Sequence, residues 1–133
     1  MSKALTLGNG RILINLDEHA MVRDLYFPFI GQENQVGGRL VHRIGVWVDD
    51  AFSFLDDGAW KIEIKAEKNV LAGEITALNK DLELSLFLND LVYNEKDIFV
   101  RRILIKNLAY RERKIKIFFG HQFELSESTA AHT

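Results

Sequence analysis

Acidic residues stand side by side three times in this sequence, at Asp17-Glu18, Asp49-Asp50 and Asp56-Asp57. Two carboxyls acting as acid and base can cleave a glycosidic bond when they face it from separate elements roughly 5–10 Å apart. Neighbours on one turn cannot flank a bond in that way. Asp49-Asp50 lies in VWVDDAFSF, between two aromatic-bearing segments, and Asp56-Asp57 runs into Gly58. Both patterns mark turns, with Asp49-Asp50 as a hairpin tip, and Asp17-Glu18 punctuates the chain in the same way.

The remaining reactive types are sparse. His19, His42, His121 and His132 show no metal-ligand spacing, so each reads as a surface or satisfied core residue, and no metal or other cofactor is expected. Gly8-Asn9-Gly10 and Gly37-Gly38 precede no helix that would make them phosphate cradles. There is no Gly-x-Ser-x-Gly elbow and no nucleophile beside a base. Trp47 and Trp60 could stack on sugar faces. Trp60, however, begins an alternating inward set, and Trp47 sits in a buried-looking strand, so core packing is the simpler role for both.

Charge is unevenly spread. Residues 96–116 carry eight Lys/Arg against Asp97 and Glu112, a local +6 within a net charge of −2, which leaves −8 for the rest. A basic stretch can track a nucleic-acid backbone. Here the cations interleave with Ile, Val and Phe in DIFVRRILIKNL and RERKIKIFFG, the pattern of a solvated hairpin face. No nucleic-acid partner is expected.

The elements carrying these residues read as strands throughout. Trp60, Ile62 and Ile64 alternate with Lys61, Glu63 and Lys65. Leu82, Leu84, Leu86 and Leu88 alternate with Glu83 and Ser85, and Ile115, Ile117 and Phe119 with Lys114 and Lys116. Further strands are expected at Arg11–Asn15, Val22–Tyr26, Leu40–Val48, Ala51–Phe54, Val70–Leu78 and Phe99–Asn107. Such spacing, broken by turn residues and without a helical period, predicts an all-β antiparallel sandwich. At 133 residues the chain is one domain, 1–133. No apolar run approaches a membrane span, the start is too short and too soon interrupted to be a signal peptide, and cysteine is absent. No membrane partner is expected, and the expected location is the cytoplasm.

DLYFPFIGQEN, residues 24–34, holds the single proline between two phenylalanines. Pro28 fixes its own φ and pushes Phe27 to extended geometry, so the strand leaves its sheet here. Tyr26, Phe27, Phe29 and Ile30 can then cap the core. Gly31 lets the chain reverse and present Gln32, Glu33 and Asn34. The stretch is either a buried corner with a polar tip or a loop offered to a partner.

The ordered string NGRILINLDEHAMVRDLYFPFIGQEN, HRIGVWVDDAFSFLDDGAW, DIFVRRILIKNL and FFGHQFELSESTA resembles the N-terminal β-sandwich of bacterial and archaeal glycoside hydrolase family 15 proteins. Those are the glucoamylase-like, glucodextranase-like and trehalase-like enzymes. The resemblance runs from about Gly10 to Ala130 and is most distinctive in Tyr-Phe-Pro…Gly-Gln-Glu-Asn and Gly-Val-Trp-Val-Asp. It implies a supersandwich-like domain, here in incomplete form, preceding an (α/α)₆ barrel whose two glutamates hydrolyse α-glucosidic bonds with inversion. No catalytic position of that barrel falls within these residues, and His132 stands where the family pattern has an aromatic.

Three functions remain open. The resemblance implies an accessory domain that supports a catalytic barrel in cis or in trans, on an α-glucan or glucoside, and is inactive alone. A free-standing carbohydrate-binding module and an interaction module pairing through sheet edges are the alternatives. Phe29, Gln32, Glu33, Asn34 and Trp47 are the candidate substrate- or interface-binding residues, with no catalytic and no metal-binding residue. A sandwich short of its covering strands is expected to form a homodimer in isolation.

Overall fold

A computed structural model describes residues 3–27, 34, 36, 42–66 and 71–121. Those residues form ten strands and no helix: β1 (Lys3–Gly8), β2 (Leu13–Asp17), β3 (Val22–Tyr26), β4 (Ile44–Val48), β5 (Ala51–Phe54), β6 (Lys61–Ala66), β7 (Ala72–Asn79), β8 (Leu84–Val92), β9 (Phe99–Asn107) and β10 (Ile115–Phe119). They pair antiparallel in three sheets, ordered β1-β2-β3, β10-β4-β5 and β6-β7-β8-β9. The expected all-β, sandwich-like architecture is present. β3, β5, β9 and β10 fall where the alternation puts them. The strand expected at 40–48 is seen from Ile44, with residues 40 and 41 outside the described set.

β8 shows why alternation is a sound guide. Leu84, Leu86, Leu88, Asp90 and Val92 are buried, while the residues between them are half-buried. A side-chain period of two admits one face to the core, which excludes a helix over the same leucines. Leu5, Leu7, Ile14 and Leu16 from the first sheet, Ile44, Val46 and Val48 from the second, and Ile75, Ala77 and the β8 leucines from the third join in one core. β1 makes the closest cross-sheet approach. A Cβ added to Gly73 of β7 would collide with the Leu5 side chain, so glycine here gives β1 its seat on the four-stranded sheet.

Turn chemistry fixes the registers. Val48 faces Ala51 across the β4–β5 hairpin, and Asp49 and Asp50 take φ of 52° and 58°, a type I′ turn. Between β2 and β3, Asp17 Oδ1 accepts from the backbone N–H of His19 (2.8 Å) and Met21 (3.1 Å), and Ala20 takes φ 63°. Asn9 uses both ends of its amide. Its Oδ1 accepts from Arg11 and Ile12 N–H, and its Nδ2 donates to the carbonyls of Tyr93 and Lys96, tying the β1–β2 turn to the β8–β9 loop.

The sandwich is unevenly closed. Phe99, Ile103 and Ile105 of β9 point to the same face as the buried β8 residues, yet Ile105 stays 38% exposed. On β10, Ile115 and Ile117 are half-buried and Phe119 is exposed, although they lie opposite the buried Val48, Val46 and Ile44. One side of the core, between β9 and β10, is therefore only partly covered.

Candidate functional site

Of the residues singled out in the sequence, Phe29, Gln32 and Glu33 lie outside the described residues. Asn34 is half-buried and turned inward. Its Oδ1 accepts from the backbone N–H of Leu25 (2.9 Å) and Val36 (3.1 Å), and its Nδ2 donates to Asp24 Oδ1 (2.9 Å). Asp24 Oδ2 in turn accepts from Asn15 Nδ2, 3.0 Å away. Asn34 is thus bound to β3 through Asp24 and Leu25, rather than being the exposed amide of a polar tip.

The two tryptophans part company. Trp60 belongs to the core, and its Nε1 donates to Ser53 Oγ at 2.9 Å, which removes it as a sugar platform. Trp47 points out of the β10-β4-β5 sheet, with Lys116 Nζ 5.2 Å from its ring centroid. Phe52, Phe54 and Phe118 share that outer face. The Phe52 ring meets Phe54 edge-on at 4.7 Å and lies 5.6 Å from Phe118. It lies across Gly45, where any side chain would displace it. Arg43 closes one end, its guanidinium 3.5 Å above Phe54 and its Nε bonded to Asp56 Oδ1 at 3.0 Å.

Asp49, Asp56 and Asp57 each hold the fold through their carboxylates. Asp57 accepts from Ser53 Oγ and from the Ala59 N–H. Asp49 accepts from Arg111 and Arg113, and those hydrogen bonds, Arg111 first, hold its carboxyl below the usual carboxylate range. Arg113 has a side chain only 2% exposed. It donates to Asp49 Oδ2 (2.9 Å), Asn107 Oδ1 (3.0 Å) and the carbonyls of Leu82 and Glu83 (2.8 Å each). The basic stretch is therefore only in part a solvated face. Arg101, Arg111 and Arg113 all have internal partners.

Among the described residues, a concavity that no local sequence pattern marks sits on the open side of the sandwich. Val22, His42, Ile44, Phe99, Arg101, Phe119 and His121 enclose about 330 Å³. His42 precedes β4 and His121 follows β10. The Gly120 N–H bonds the Arg43 carbonyl at 3.0 Å, which carries the ladder one step beyond Phe119–Ile44. The two imidazoles then meet as a cross-strand pair, Nδ1 to Nδ1 at 3.0 Å, with one nitrogen donating and the other accepting. The Phe119 ring stacks on His121 at 6.2 Å. Arg101 comes from β9 and is anchored by Asp90 directly opposite on β8. The histidines lie 79 residues apart in sequence, and only the register of β10 on β4 brings them together. Among the described residues, no three His, Cys, Asp or Glu are grouped to hold a metal ion, and no helix is long and apolar enough to cross a membrane.

No protein-family model, curated protein or solved structure matches this chain.

Proposed function

We propose that the chain is an accessory β-sandwich domain of a family-15-like α-glucoside hydrolase, which supports the catalytic barrel and is inactive by itself. The observation that carries this reading is the partly covered core between β9 and β10. Phe99, Ile103, Ile105, Ile115, Ile117 and Phe119 form an apolar seam, half-buried to exposed, along two sheet edges. Apolar surface of this kind is stable when another element lies over it. Further strands or a barrel, in cis or in trans, would supply that cover. The engagement of Asp17, Asp49, Asp56 and Asp57 in turns and ion pairs supports inactivity in isolation, since a hydrolase needs two carboxyls free to face one bond. The cysteine-free sequence supports a cytoplasmic setting.

The test is capture of the tagged chain, with whatever follows it in its own coding sequence, from its native cells. Mass spectrometry then identifies the bound or continuous polypeptide, and the captured material is assayed on starch, maltose, dextran and trehalose. A helical barrel with α-glucosidase activity is expected, while the 133-residue chain alone stays inert. Turnover by the rigorously purified chain, or a captured complex without such activity, overturns the reading.

A second reading, a carbohydrate-binding face, is favoured by one observation. Trp47, Phe52 and Phe118 gather on the outer face of β10-β4-β5. Because Trp60 is buried, Trp47 would dominate any change in tryptophan fluorescence on adding maltooligosaccharide. A saturable change lost in Trp47→Ala would favour this reading.

A further inference from the structure

Arg101 stands on the inner face of β9, with Phe99 and Ile103 on either side and a side chain only 12% exposed. A guanidinium so placed requires a partner, and the fully buried Asp90 supplies it. The geometry of that pair leaves part of the arginine unused. Nε donates to Oδ1 and Oδ2 at 2.9 and 3.1 Å, and Nη2 donates to Oδ2 at 2.7 Å. Asp90 therefore occupies the side edge of the guanidinium. The end edge, made by Nη1 and the second N–H of Nη2, makes no hydrogen bond among the described residues, and Arg101 lines the pocket. Two parallel N–H groups in a planar fork match the two oxygens of a carboxylate.

The other walls define the rest of the ligand. Val22, Ile44, Phe99 and Phe119 are apolar, and about 330 Å³ suits a small organic molecule. Asp90 already offsets the charge of Arg101. The His42–His121 pair adds a polar stretch to the wall of the same pocket. We infer that this pocket binds a small monocarboxylate with an apolar body, the carboxylate on the end edge of Arg101 and the body against Ile44, Phe99 and Phe119.

The experiment is an NMR titration of the isotope-labelled chain with phenylacetate. 2-Phenylethanol serves as the neutral counterpart, acetate as the head group alone and N-acetylphenylalanine as a peptide C-terminus. Phenylacetate should give saturable shifts at Val22, Ile44, Phe99 and Phe119 with a Kd of about 1 mM or below. 2-Phenylethanol and acetate should bind at least about tenfold more weakly, which isolates the charged fork from the apolar walls. Arg101→Lys keeps a cation beside Asp90 but loses the planar fork, and should weaken phenylacetate by about tenfold or more. Val22→Phe leaves the Asp90–Arg101 pair untouched and fills the pocket from β3. It should abolish binding even if Arg101→Lys fails to fold. Equal affinity for phenylacetate and 2-phenylethanol overturns the proposal. So does binding that survives Val22→Phe, or no saturable shift by about 10 mM, a level at which such a fit would be nearly full. Tighter binding of N-acetylphenylalanine would assign the pocket to a peptide terminus instead.

Discussion

Asp49 faces two demands. It occupies the first central position of a tight turn, with φ of 52°, and its carboxylate receives Arg111 and Arg113 from the segment before β10. The turn alone would accept Asn at this position, but the clamp requires the charge. Because its pKa is lowered by folding, the carboxylate contributes stability above its unfolded value near 3.8 and loses it as pH falls through the lower, folded value. Wild type should therefore melt above Asp49→Asn at neutral pH. The gap should hold down to about pH 4 and close below it, as thermal melts across pH 2–7 would measure. A constant gap at all pH values would mean that the lost interaction is not ionic. The turn was legible because Asp-Asp between alternating apolar segments has one local solution. The clamp was not, because Arg111 and Arg113 lie 62 and 64 residues away and nothing local to either end names the other.

Elements show the same division. β1 is not legible in the sequence, because Leu5 and Leu7 alternate about Thr6 over too short a run before Gly8-Asn9-Gly10 to mark a strand. Its seat depends on Gly73, a residue whose isolated letter says nothing about Leu5. Gly73→Ala should destabilise the domain by about 1–3 kcal/mol through overpacking, and Leu5→Val in the same chain should recover part of the loss. Urea unfolding of the two single variants and the double variant tests this, and additive losses would show that the residues do not touch. The end of β3 at Tyr26 was legible, because a proline two residues on restricts the backbone before it, while residues 28–33 lie outside the described residues. The direction of Asn34 was not. A surface amide and one that binds two backbone N–H groups look identical in sequence. With those bonds in place, Asn34→Ala should cost about 1–2 kcal/mol in the same urea assay. A loss below about 0.5 kcal/mol would return Asn34 to the exposed tip.

For the molecule as a whole, the alternating segments predicted sheets and faces but not closure. Which edge remains open depends on how three sheets share one core, and no local pattern encodes that. The open β9–β10 side leads to an expectation about the purified chain. Sedimentation velocity should show a concentration-dependent monomer–dimer equilibrium, as apolar surface at exposed edges pairs with its own copy. Ile105→Lys, at a half-covered position, should shift the equilibrium to monomer with little change in melting temperature. A wild-type chain that stays monomeric at high concentration would show that the seam does not drive association.

Arg113 also bears on how long the folded state lasts. Leu82, Glu83 and Asn107 belong to the four-stranded sheet, but Asp49 sits at the β4–β5 tip of another sheet, so the set of four is complete only once those two sheets have docked. Interactions completed after the rate-limiting step leave the folding rate alone and act on escape from the native state. Replacing Arg113 with Lys, at a cost of about 2 kcal/mol, should therefore leave refolding nearly unchanged and speed unfolding by about thirtyfold. The same guanidinium that joins these two of the three sheets would then set the lifetime of the fold, and with it the protein's exposure to proteases.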